Sequence, residues 1–195
     1  MARPPKLDLK DKILSAATEK FFRLGFSRVS IDEIVSDVRT SKSAVYKYFP
    51  SKEDLVLAVL TSLNADINNN IGAIINNSSL TFQQRLEHII SFTSGILQRV
   101  SKDFLNDLKI DTPSIWLKYQ QMRSDRLKNL YYSFFKQGVK QGIIRKDIPL
   151  NFILFIYTKL TELVVDPEVL EPMKVSSKKA YSMISHLFLE GAKPK

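Results

Sequence analysis

The chain contains no cysteine, which excludes disulfides and metals or clusters held by thiolates. It has only two histidines, His88 and His186. They lie far apart, and neither stands in a metal-ligand spacing, so both read as ordinary helix residues. Glycine is scarce, with six in the whole chain, and none forms a phosphate-cradling loop or a G-x-S-x-G elbow. No catalytic residues, metal or cofactor are therefore expected, and an enzyme is the least favoured class. Long hydrophobic runs are missing too. The longest, Ile148 to Tyr157, is broken by Pro149 and Asn151 and falls well short of the roughly 20 residues that span a bilayer. The opening MARPPKLDLKDK is polar and basic, with no apolar segment of the kind a secretion signal needs. A cytoplasmic protein without a membrane partner is expected.

What the chain does have is positive charge, unevenly spread. It carries a formal +9 over 195 residues, enough length for one or two domains with a real core. Residues 1–52 hold 11 Lys and Arg against 6 Asp and Glu, so the first quarter of the chain carries more than half of the excess. A basic N-terminal segment suits a polyanion, most often nucleic acid. A merely solubilising surface is the plainer alternative.

The local pattern is helical throughout, with no run of alternating β-branched residues. An all-α fold of nine helices is expected. Three starts have the form of a capping box, in which a hydroxyl and the residue three further on satisfy each other's backbone N–H groups. They are Ser30 with Glu33, Ser51 with Asp54, and Thr81 with Gln84. Thr112-Pro113 places an N-cap before a proline at the first helical position. The first helix runs from about Lys10 to Leu24, with Ile13, Ala17, Phe21 and Leu24 on one face, and Gly25 ends it. The second spans Ile31 to about Val38. A short third follows Ser41 and ends near Tyr48, before Pro50. The fourth runs from Ser51 to about Ile75. Later helices cover about Phe82–Val100, Lys102–Lys109, Pro113–Gln141, Pro149–Val165 (ended by Asp166-Pro167) and Ser176–Glu190 (ended by Gly191).

The second and third helices are short and joined by a tight turn around Arg39–Ser41, the spacing of a helix-turn-helix. In that motif the second helix enters the major groove and the first packs across it. Val45 and Phe49, four apart, face Ile34, Val35 and Val38. Lys42, Ser43, Tyr46 and Lys47 are left on the outer side.

Residues 13–60, ILSAATEKFFRLGFSRVSIDEIVSDVRTSKSAVYKYFPSKEDLVLAVL, resemble the DNA-binding domain of the TetR family. The likeness rests on Ile-Leu-x-Ala-Ala at 13–17, Phe22, Gly25-Phe26, Ser30, Ile34 and Ser41. Its strongest block is Val45-Tyr46-Lys47-Tyr48-Phe49 followed by Ser51-Lys52-Glu53-Asp54-Leu55. The resemblance implies a DNA-binding domain over 1–52 and a helical ligand-binding and dimerisation domain over 53–195. It implies that Tyr46 and Lys52 contact phosphates. Ser30 and Ser41 would sit nearby at helix N-termini, where backbone N–H groups favour anions. Lys42, Ser43, Ala44, Lys47 and Tyr48 would face the groove. There a Lys can donate to guanine, and a small Ser43 or Ala44 can approach a thymine methyl. The alternatives are that Tyr48 packs on the first helix and that Lys47 is a solvated charge. Arg39 stands where the family usually has glycine, and Thr40 where it has a small apolar residue. A positive φ kept at Arg39 costs on the order of 1–2 kcal/mol, which a phosphate contact could offset. Arg3, Lys6 and Lys10 form either a basic arm along the DNA or a loose tail.

The resemblance weakens after the fourth helix. The helix from Pro149 carries Phe152, Ile153, Phe155, Ile156, Leu160, Leu163 and Val164 on nearly every side, so it must be covered on all sides. The last helix adds Tyr181, Ile184, Leu187 and Phe188. Helices 149–165 and 176–190 are expected to pair with their copies in a homodimer that binds a palindromic operator in double-stranded DNA. Phe92, Phe104, Trp116, Tyr119 and Met122 are candidate lining for a small hydrophobic ligand, with Gln120 or Arg123 adding polarity. Plain core packing is the competing reading for each. The turn at Gly142–Ile148 resembles a recurrent family turn and reads as structural. The function expected is a DNA-binding transcriptional regulator, a repressor released by its ligand. The alternative is a ligand-independent adaptor whose C-terminal half binds another protein.

Overall fold

The computed structural model describes residues 8–194, apart from the side chains of Leu127 and Pro167. Arg3 and Lys6 lie outside the described residues; Lys10 is exposed on the first helix. Every regular element among the described residues is a helix. These are α1 (Leu9–Leu24), α2 (Ile31–Val38), α3 (Lys42–Tyr48), α4 (Lys52–Ile75), α5 (Phe82–Arg99) and α6 (Lys102–Ile110). Then come α7 (Pro113–Arg126), α8 (Tyr132–Lys140), α9 (Leu150–Leu163), α10 (Pro167–Leu170) and α11 (Ser177–Ala192). No helix is long and apolar enough to cross a membrane among the described residues.

The caps explain many of the starts. Ser30 and Glu33 close a full capping box, with Glu33 N–H to Ser30 Oγ at 3.2 Å and Ser30 N–H to Glu33 Oε2 at 2.6 Å. Thr81 and Gln84 do the same, with Gln84 N–H to Thr81 Oγ1 at 3.2 Å and Thr81 N–H to Gln84 Oε1 at 2.9 Å. Ser51 Oγ accepts from the Asp54 N–H at 2.9 Å. The Thr112 hydroxyl turns back and donates to the Leu108 carbonyl at 3.2 Å, tying the start of α7 to the end of α6.

The chain forms two compact units. The first comprises the described residues up to Leu63 together with Val100–Trp116. Its core is Ile13, Ala17, Phe21, Ile34, Val45 and Leu55. The α6 segment joins it through side chains far away in sequence. Phe104 packs on Phe22 with ring centroids 5.2 Å apart, and the Ser101 N–H donates to the Phe22 carbonyl at 2.8 Å. Asp103, Asp107 and Asp111 fall at four-residue intervals on one face of α6. Arg28 pairs with Asp103 at 2.9 Å, the Ser27 N–H donates to Asp107 at 2.8 Å, and the Ser27 hydroxyl donates to Asp111. These contacts carry residues 100–116 into the first unit.

The second unit comprises Asn64–Arg99 and the described residues from Leu117 onward. In it α11 lies along α5 and against α9, and α9 packs on α8. Phe82 stacks on Phe134 with centroids 4.4 Å apart. Gly138 sits against Phe82, where a Cβ would come within 2.7 Å of the ring. The run expected from Pro113 to Gln141 is interrupted by a π-helical turn at Leu127–Tyr131, which separates α7 from α8. Two further differences have local causes. Pro167 does not merely end a helix; it opens the single turn α10, whose Leu170 N–H returns to the Asp166 carbonyl at 3.3 Å. Gly191 lies inside α11. The helix runs on to Ala192, which is buried and accepts the Arg145 N–H at 2.8 Å. Arg145 also donates to the Gly191 carbonyl and forks onto Asp147, so the 142–148 turn closes the C-terminal end of α11.

Gly25 has φ +89°, and a Cβ there would lie 2.7 Å from Asp107 Oδ2. Gly25→Ala is expected to lower stability by about 1–3 kcal/mol, measured by urea unfolding. An unchanged midpoint would show that the α1–α2 loop yields freely.

Candidate nucleic-acid interface

The helix-turn-helix is built from α2 and α3. Two residues of α3 point into the core: Val45 within the helix and Phe49 at its end are both buried. Ser41 caps the helix, its Oγ accepting the Ala44 N–H at 3.1 Å and sharing a hydrogen with Ser43 Oγ at 3.0 Å. The outward side is then fixed by helical spacing. Lys42, Ser43 and Lys47 are exposed, Tyr46 and Tyr48 are 40% and 41% exposed, and Ala44 is half-buried.

The turn between the two helices keeps a left-handed residue. Arg39 has φ 55° and ψ 55°. Its N–H returns to the Ser36 carbonyl at 3.3 Å and the Thr40 N–H to the Val35 carbonyl at 3.2 Å, the paired hydrogen bonds of a Schellman motif. The conformation normally served by glycine is thus present with an arginine in it.

Two lysines have neighbours that spacing did not reveal. Lys42 Nζ pairs with Asp32 of α2 at 3.1 Å, on the surface. Lys52 is half-buried, with Nζ 4.3 Å above the Phe26 ring and 3.4 Å from the Ser27 carbonyl. Burial pulls the Lys52 ammonium down from its ordinary range, against the opposing pull of Glu53, Asp107, Glu33 and Asp111. Lys52 therefore joins the start of α4 to the α1–α2 loop as well as adding positive charge beside α3. Lys20 and Asp37 tie α1 to α2 at 3.0 Å. The carboxylates of α6 were not singled out from the sequence, because nothing in it brings residues 103–111 next to Ser27 and Arg28.

The candidate ligand residues are divided. Phe104 is buried against Phe22 in the first unit, which Trp116, half-buried, closes. Phe92, Tyr119 and Met122 are half-buried in the second.

Residues 13–59 match the family model for bacterial regulatory proteins of the tetR family. The HTH-type transcriptional regulator YhgD of Bacillus subtilis (strain 168) is 26% identical over 158 residues, 79% of this chain and 81% of YhgD. The fold is that of the fatty acid degradation regulator FadR of Bacillus halodurans. The two share a TM-score of 0.71 at 16% identity, over 97% of this chain and 99% of that one. Over residues 13–59 the chain is thus similar to regulators of the TetR family, and its fold is that of solved regulators. A second solved structure, the transcriptional regulator FadR from Bacillus subtilis in complex with stearoyl-CoA, has a TM-score of 0.66 at 16% identity, over 93% of this chain and 98% of that one. The family match covers α2, α3 and the turn at Arg39, so the left-handed arginine lies within the TetR-type head.

Arg39→Gly is expected to raise stability by up to about 1 kcal/mol, since relief of the left-handed strain outweighs the added freedom of the unfolded chain. Denaturant unfolding checks it; a clear loss would mean that the arginine side chain holds the turn. A second expectation concerns pH. The Ser30 N–H and hydroxyl hold the Glu33 carboxyl below its usual range. Its contribution to stability is therefore present above the ordinary carboxylate range and is lost as pH falls through the folded value. Comparing Glu33→Gln with the parent chain from neutral to acid pH should show the gap between them closing.

Proposed function

We propose that the chain is a homodimeric repressor that binds a palindromic operator in double-stranded DNA and leaves it when a small hydrophobic ligand binds. The observation that carries the reading is the one-sided α3. Its apolar side is buried through Val45, while Lys42, Ser43, Tyr46, Lys47 and Tyr48 stand exposed beside Lys52. In a helix-turn-helix the second helix lies in the major groove. Lys42 and Lys47 are suited to guanine edges or phosphates, and Ser43 and Ala44 to close approach. Tyr46 and Lys52 are suited to phosphates, with Ser30 and Ser41 at the N-termini of α2 and α3.

The dimer reading rests on apolar surface left uncovered in one copy. Phe152 and Phe155 of α9 are each 55% exposed and Leu187 of α11 is 74% exposed. Between Phe152 and Leu187 lies a groove of about 300 Å³ lined by Ile156, Leu160 and Phe188 among others. Contiguous apolar surface of this kind marks an interaction site, and two reading heads need two copies. The adaptor reading would use the same groove for another protein. The ligand reading is supported by the likeness in fold to a FadR holding stearoyl-CoA. Release follows by linkage. A ligand that binds the DNA-free form more tightly lowers DNA affinity by the same factor.

Lys47→Ala is expected to cost about 1–3 kcal/mol in operator binding if it reads a base, and Tyr46→Phe to weaken binding evenly across sequences. Titrations against DNA flanking the gene, with scrambled DNA at several salt concentrations, check both. Equal, salt-abolished binding to both DNAs would sink the regulator reading. Leu187→Asp should convert a dimer to a monomer by light scattering; a parent chain that is already monomeric would favour the adaptor.

A further inference from the structure

Two arginines of α7 sit inside the second unit with no acid to match them. Arg123 is only 7% exposed. Its guanidinium donates to the Thr161 carbonyl and, at 3.3 Å, to Gln120 Oε1. Arg126, three residues on, is half-buried and donates to Asn64 Oδ1 at 2.6 Å. Every one of these acceptors is neutral, and among the described residues neither arginine has a carboxylate in an ion pair. Burial, above all, pulls the Arg126 guanidinium down from its ordinary range, and Arg123 adds to that pull. A buried and a half-buried guanidinium side by side without a counter-ion are costly to keep.

The surroundings of the pair are equally particular. The Tyr157 and Tyr181 hydroxyls lie 3.0 Å apart in the interior, and Tyr131 is buried with its ring 5.5 Å from Tyr157. Burial pushes the Tyr131 and Tyr157 hydroxyls well up, so both stay neutral donors at ordinary pH. Tyr131 follows Arg126 by five residues, across the π-helical turn. Five residues along a plain α-helix turn a side chain about 140° away, whereas the wider i→i+5 turn over Leu127–Tyr131 closes most of that angle. The Tyr157 ring packs in turn on an aromatic wall, with Phe188 4.8 Å and Phe135 5.7 Å away.

We propose that Arg123 and Arg126 form the anion-holding end of the ligand site, so that the ligand is an amphipathic anion, a carboxylate or phosphate on an apolar body. The inference rests on the ligand-released reading above and adds the sign of the ligand's charge and the residues that meet it. The guanidiniums supply charge-assisted hydrogen bonds, the tyrosine hydroxyls donate to the same oxygens, and the aromatic wall receives the apolar body.

The test uses the full chain and four compounds of equal tail length: dodecanoate, dodecyl phosphate, dodecanol and dodecyltrimethylammonium. Calorimetry and thermal melting are expected to show binding of at least one of the two anions and not of the alcohol or the cation. Arg126→Gln should weaken the bound anion about tenfold or more, and Arg126→Lys should recover part of that loss. Unliganded Arg126→Gln should melt no lower than the parent chain, because an uncompensated charge has gone. A variant that melts well below the parent, an anion bound equally by parent and Arg126→Gln, or a parent that prefers the alcohol or cation would each overturn the anion site. If neutral or cationic compounds bind, the ligand reading survives and only this inference falls. If nothing binds, in this set or in a broad library, both fall.

Discussion

A helix of seven residues has no stability of its own in water, because nucleation consumes most of what so few hydrogen bonds return. That constraint governs the reading head. Helix α3 persists because Val45 and Phe49 are buried and because Ser41 satisfies its first turn. Its orientation is set by what lies beneath those two side chains, and its polar face is whatever they leave over. The left-handed residue at Arg39 follows from the same need, since the chain must reverse within two or three residues to pack α3 on α2 with Val45 buried. Strain at one residue is small beside the burial it permits. The head in turn borrows from α6. The Asp103, Asp107 and Asp111 stripe grips Ser27 and Arg28, and Phe104 closes over Phe22.

Signals that act within four residues were legible in the sequence. The Ser30–Glu33 and Thr81–Gln84 boxes and the end of α2 are settled by neighbours on the same turn, and the expected span of α2 agrees with the structure. Signals that depend on partners elsewhere were not legible. Nothing near residues 100–116 says that they join the first unit. Nothing near Gly191 says that Ala192 will be buried and its carbonyl taken by Arg145, which carries the helix past a residue that would otherwise end it. The single turn at α10 was hidden because a proline reads equally well as a stop and as a start.

The candidate site divides along the same line. The exposed face of α3 could be read from spacing, because two buried positions on a short helix determine the rest. What Lys42 and Lys52 do at rest could not be read. One is held by Asp32 and the other lies over Phe26, contacts made across elements. The aromatic positions proposed for a pocket show the limit of composition. Phe104 has the same residue type and helical spacing as its companions, yet it is committed to the first unit. Arg126 carried no signal at all, since an arginine in a helix is ordinarily a surface residue, and only the fold turns it inward.

A π-helical turn amounts to an α-helix that has accepted one residue too many. Between Leu127 and Tyr131 that extra residue resets the angular phase of the helix, so Phe134 and Phe135 reach the core from a helix that began on a different phase at Pro113. A helix that was plain α through this stretch would need one residue fewer to keep Tyr132–Lys140 on the faces they occupy. With the same number of residues, every side chain from Tyr132 to Lys140 would turn to a different face.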